Sequence, residues 1–200
     1  MHPHIPSSWP FFLGGLFAIL LTGCATRVGD DFRISEGELA LHDSIPKAES
    51  IAKLERHIST AQYEDMPFLA PHHFREASDI LKNVQRTSPR NVTTYDLAKA
   101  DMLIDRGEAV IDKVKTQLGK ELELKALLDR NSAEAIYPRR YRSGIRELSR
   151  LIERIELGRA GNMERDRADL NKSLQELYSD TVAHAALHGS PLSEKDANEK

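Results

Sequence analysis

The chain has 200 residues, 30% of them charged and 6% aromatic, and its formal net charge is −3. A general nucleic-acid binder would carry a basic excess, so that class is not expected. One cysteine, Cys24, excludes an intramolecular disulfide and a cysteine-rich metal site, while a mean hydropathy of −0.47 suits a water-facing, helix-rich chain with a modest core.

The chain opens with an apolar run from Phe11 to Leu21, interrupted only by Gly14 and Gly15. It is too short to span a hydrocarbon core, which needs about 20 apolar residues, and it matches the h-region of a secretory signal. The run ends in Leu21-Thr22-Gly23-Cys24, which resembles the lipobox of bacterial lipoproteins. That resemblance implies a diacylglyceryl group on the Cys24 thiol, cleavage before Cys24 and acylation of the new amino group. Residues 1–23 are then a signal peptide, and the protein meets the membrane through lipid on Cys24. Each buried acyl methylene contributes about 0.8 kcal/mol, so several chains hold a protein stably. Residues 1–10 depart from the pattern by containing no Lys or Arg. Ala25 stands where enterobacterial lipoproteins kept in the inner membrane carry Asp, which implies the outer membrane, facing the periplasm of a Gram-negative cell.

Residues 24–43 are mixed and polar, with no sustained period, and read as the lipidated cysteine and a flexible tether. About 19 residues at about 3.3 Å each reach some 60 Å at full stretch. Helical stripes follow. The first is Ile51, Leu54, Ile58 and Ala61, and the second Phe74, Ala77, Leu81 and Val84. The third runs from Leu97 through Ile104, Gly107, Ile111 and Val114 to Leu118, predicting a helix over about 94–128. The fourth is Tyr141, Ile145, Leu148, Ile152 and Ile155, and the fifth Leu170, Leu174 and Leu177. Pro67, Pro71 and Pro138 mark breaks and first helical turns; Thr93 with Asp96 resembles a capping box. No segment alternates with period two. The expected fold is all-α: about five helices in elongated antiparallel hairpins or a bundle, one hairpin region over 44–130, a second over 131–188, and a disordered tail over 189–200. Near-heptad steps permit homo-oligomers without requiring them.

The hairpins read as a duplication. Ala70-Pro71-His72-His73-Phe74-Arg75 aligns with Tyr137-Pro138-Arg139-Arg140-Tyr141-Arg142 at an offset of 67 residues. Ala77 then matches Gly144, Leu81 matches Leu148 and Val84 matches Leu151. Lys47-Ala48-Glu49, Ala61-Gln62-Tyr63, the Ala70-Pro71 break through Phe74-Arg75-Glu76-Ala77, and Leu97-Ala98-Lys99-Ala100-Asp101 resemble the helical lipoprotein family known as domain of unknown function 4398. The resemblance covers about residues 45–118 and implies a periplasmic lipoprotein. It carries no assigned chemistry. Members often carry a fused peptidoglycan-binding domain, for which this chain has no room.

The search for chemistry finds little. His72 and His73 point about 100° apart on a helix and share one ion poorly. His184 and His188, at i and i+4, have chelating spacing but no intervening Glu of the HExxH type; a solvated helix end is the reading, and no metal or cofactor is assigned. No nucleophile elbow, dinucleotide-binding glycine pattern or Walker loop occurs, so no catalytic residue is named and an enzyme is not expected. The one candidate binding surface is basic: Arg139, Arg142, Arg146, Arg150 and Arg154, the last four on one helical stripe beside Arg140. Guanidinium groups suit phosphates and carboxylates, and anionic envelope lipid or glycan would be the ligand. Against this, Glu147, Glu153 and Glu156 lie close enough in sequence to pair with the stripe. The leading expectation is a structural or interaction module that contacts another envelope protein.

Overall fold

The computed structural model describes residues 33–188; the lipobox and the 189–200 tail lie outside them. In chain order the helices are α1 (Glu36–Asp43), α2 (Lys47–Tyr63), α3 (Met66–Leu69), α4 (Pro71–Arg86), α5 (Thr94–Arg130), α6 (Ala133–Ile136), α7 (Pro138–Glu156) and α8 (Glu164–His188), with a 3-10 turn at Pro89–Asn91 before α5. The protein is all-α, a packed bundle with no strand among the described residues. The five stripes expected from the sequence are α2, α4, α5, α7 and α8. None of the described helices is long and apolar enough to cross a membrane.

The tether expectation needs correction at its end, because residues 36–43 are helical. α1 buries no residue, so it has no apolar stripe to betray it. A complete capping box starts it instead: Ser35 Oγ accepts from the Glu38 amide at 3.2 Å, and Glu38 Oε2 accepts from the Ser35 amide at 2.8 Å. The bonds from the Ser35 side chain and backbone hold the Glu38 carboxyl below its ordinary range. At the far end of α1, Thr94 Oγ1 donates to Asp43, which ties the helix to the start of α5. Thr93 caps α5 by accepting from the Asp96 amide at 3.1 Å.

The 67-residue repeat extends into the backbone. Asp65 and Ser132 both take the left-handed conformation, at φ 61° and 55°. Each ends a long helix and starts a one-turn helix, α3 or α6. Ala70 (φ −145°, ψ 61°) and Tyr137 (φ −128°, ψ 60°) then turn the chain before the prolines that open α4 and α7. The buried positions correspond as well: Leu81 with Leu148, Val84 with Leu151, Leu103 with Leu170, and Val110 with Leu177. Two copies of a helix, tight turn, helix and return helix therefore follow one another, and α5 belongs to both.

That double role explains the length of α5, 37 residues, or about 55 Å at about 1.5 Å per residue. Its first part is the return helix of the first copy against α4. Its last part is the opening helix of the second, against α7 and α8. The helix departs from α geometry at Leu118 (φ −118°, ψ 20°), where the two roles meet. The division expected at residue 130 marks a real turn, yet the core runs through it. Leu103, Ile104, Leu118, Leu128, Leu148 and Ile152 are all 0% exposed, each contributing about 1.5–3 kcal/mol by burial. Glycines set two close approaches. A Cβ on Gly107 would lie 2.9 Å from Met66 Sδ, and one on Gly144 would lie 2.8 Å from Leu174 Cδ2.

Candidate functional site

The densest polar constellation is in the first copy, between α1, α2 and α5. Asp101, Asp105 and Glu108 sit on one face of α5 because i, i+4 and i+7 share a helical face. The packing of α2 against α5 sets His57 over that face. The His57 Nδ1 and Asp101 Oδ1 are 2.6 Å apart, a hydrogen bond. Its Nε2 stands 3.8 Å from Asp105 Oδ1 and 3.5 Å from Glu108 Oε1. Lys53 Nζ donates to Asp101 Oδ2 at 3.1 Å. From α1, His42 Nε2 approaches the same oxygen to 3.6 Å.

The electrostatics follow from crowding three carboxylates around little positive charge. Burial works to lower the His57 pKa, but the Asp101 hydrogen bond, the Asp101 and Asp105 charges and the Glu108 hydrogen bond outweigh it, and the pKa is raised. Burial works to raise that of Asp101, and bonds from His57 and Lys53 overcome it, leaving the carboxyl lowered. Asp105 is raised, by burial first and then by the Asp101 charge, with Glu108 adding to it. The group His57, Asp105 and Glu108 has donor atoms within 4.8 Å of one another, close enough to share one ion. None of these residues was singled out from the sequence. The i, i+4, i+7 acids were a visible signal, but such faces are usually solvated, and only folding brings His57 to them.

A second buried polar pair joins the two copies. His73 lies in the first turn of α4, and its amide donates to Glu156 Oε1 at 2.9 Å; the same oxygen lies 2.8 Å from His73 Nδ1. The side chains are 4% and 0% exposed. One carboxylate at the end of α7 thus satisfies an orphan amide at the start of α4, a helix terminus with no side-chain cap of its own. His72 does not join it and lies 2.7 Å from Arg75.

The arginine stripe is partly committed to the fold. Arg142 pairs with Glu134 at 3.0 Å, Arg150 with Glu147, and Arg154 with Asp166. Arg154 also donates to the Gly161 carbonyl at 3.2 Å. Of the expected partners only Glu147 serves; Glu156 is taken by His73. Arg139 and Arg146 have no ion pair among the described residues. The neighbouring α7–α8 groove of about 420 Å³ mixes Arg150 and Arg154 with Glu147, Asp166 and Asp169, so it is not a cationic pocket. Arg140 is paired with Asp180 at 2.6 Å. His184 and His188 have ring centroids 4.6 Å apart at the end of α8. No protein-family model, curated protein or solved structure matches this chain.

Proposed function

We propose that this chain is a lipid-anchored, non-enzymatic interaction module of the bacterial envelope, held at the outer membrane through Cys24 and working by contact between its helices and another envelope protein. The observation that carries the reading is Leu21-Thr22-Gly23-Cys24 closing an apolar run of signal-peptide length. The packed helical body downstream supports it. Such a body presents broad, charged helix faces on a frame stiffened by the shared α5. The reading favours a protein partner over an anionic ligand, because Arg142, Arg150 and Arg154 already hold carboxylates of the chain itself.

Growth with an alkyne fatty acid tests the anchor. Wild type is expected to label and to fractionate with the outer membrane, while Cys24→Ala loses the label and the mature mass. A mature protein that retains residues 1–23, or carries no acyl mass, overturns the reading.

A further inference from the structure

We propose that His57, Asp105 and Glu108 form a binding site for a divalent transition-metal ion, with Zn²⁺ the best match to the donor set. Donor atoms about 2.1 Å from a tetrahedral ion lie about 3.4 Å from one another. His57 Nε2 stands 3.5 Å from Glu108 Oε1 and 3.8 Å from Asp105 Oδ1, so small side-chain rotations close the set around one ion. Asp101 completes the arrangement without being a ligand. It occupies Nδ1 at 2.6 Å, which turns Nε2 towards the two carboxylates. Metal-binding histidines are commonly held by a carboxylate in this way.

Two observations separate this group from an ordinary acidic helix face. The first is the imidazole itself, whose ring is fixed by one carboxylate and faces two more. The second is His42. Its side chain is 10% exposed, its Nδ1 is buried without a hydrogen-bond partner among the described residues, and its Nε2 approaches Asp101 Oδ2 to 3.6 Å. His42 thus lies outside the three donors that lie within 4.8 Å of one another and instead backs the Asp101 carboxylate that orients His57. The charge balance agrees. Asp101, Asp105 and Glu108 bring three negative charges against Lys53, and a dication neutralises the remainder.

The chemistry narrows the ion. One imidazole with two carboxylates suits Zn²⁺ and its first-row neighbours, whereas Mg²⁺ and Ca²⁺ prefer all-oxygen sets. Asp105 and Glu108 side chains are 67% and 47% exposed, so the site opens to solvent and water fills the remaining coordination positions. Because His57 belongs to α2 and the acids to α5, the bound ion would clamp the two helices together.

Calorimetry on the full chain in detergent, stripped with EDTA and dialysed, tests the site with Zn²⁺ and with Mg²⁺. One saturable Zn²⁺ per chain is expected, with Mg²⁺ at least about tenfold weaker. The double variant Asp105→Asn, Glu108→Gln changes only exposed side chains and should keep the helical circular dichroism while weakening Zn²⁺ at least about tenfold; Glu108→Gln alone is the milder backup. Asp101→Asn should also weaken Zn²⁺ by about tenfold or more through the loss of imidazole orientation. His184→Ala, which breaks the i, i+4 pair on α8, should leave the affinity unchanged. No saturable uptake, equal Zn²⁺ affinity in the double variant, or loss of binding in His184→Ala instead overturns the proposal.

Discussion

Leu54 in α2 and Glu121 in α5 hold equivalent places in the two copies, 67 residues apart, and each is 2% exposed. One copy fills the position with a hydrocarbon side chain. The other buries a carboxyl whose Oε2 has no hydrogen-bond partner, with Arg167 Nε 3.9 Å and Asn171 Nδ2 3.4 Å from Oε1. The metal-site residues diverge in the opposite sense: His57, Asp101, Asp105 and Glu108 correspond to Leu124, Ala168, Lys172 and Gln175. Left-handed turns, proline starts and aliphatic stripes recur because they determine how the chain packs. Polar groups are free to differ wherever the surrounding helices can satisfy or expose them.

The comparison is tested most strongly by truncating equivalent core positions. Leu103→Ala and Leu170→Ala should each lower stability by about 2–5 kcal/mol. Because α5 runs through both copies, both variants should shift a single urea transition. Two separate transitions, with each variant moving one, would show that the copies unfold independently.

The link between the copies should come next. Glu156→Leu leaves the buried His73 amide and Nδ1 without their acceptor, and thermal melts should show a loss of about 1–3 kcal/mol. Glu156→Gln keeps an acceptor for the amide and should lose less. Equal loss in both variants would mean that packing, rather than the hydrogen bonds, holds this corner.

Close helix approach is probed by Gly144→Ala, whose added Cβ meets Leu174 Cδ2 at 2.8 Å. A cost of about 1–3 kcal/mol is expected from overpacking, with Leu174→Val partly relieving it in the double variant. Strict additivity of the two changes would place the cost elsewhere. Glu121→Leu makes the second copy resemble the first, and it should stabilise by about 1 kcal/mol, since well-packed apolar groups often replace buried ionic ones without loss. Arg167 is 36% exposed and can turn to water. A clear destabilisation would show that Glu121 is needed where it is.

The smallest effect concerns the polar cluster of the first copy with EDTA present. The raised pKa of His57 makes its contribution complete below its ordinary value of about 6.5 and lost as pH rises through the folded value. The lowered pKa of Asp101 makes its contribution present above about 3.9 and lost as pH falls through the folded value. Asp105, raised, opposes stability once ionised. The melting-temperature difference between wild type and His57→Gln should therefore peak near about pH 5–6 and shrink towards pH 9. A difference independent of pH would remove His57 ionisation from the account.

The helical class, the five long helices and the 67-residue repeat are properties of local pattern: apolar side chains three and four apart must share a face, and proline must open a helix or break one. The Ser35–Glu38 cap and the short α1 behind it went unread within the expected tether, because α1 buries no residue and has no apolar stripe. What chain order alone could not supply is which faces meet. His57 lies 44 residues from Asp101, and His73 lies 83 from Glu156; contacts at such separations follow from how α2 and α7 dock, not from spacing. The arginine stripe shows the converse. Its alignment on α7 and the Glu147 pair on the same helix were visible beforehand, but only folding brings Glu134 of α6 to Arg142 and Asp166 of α8 to Arg154.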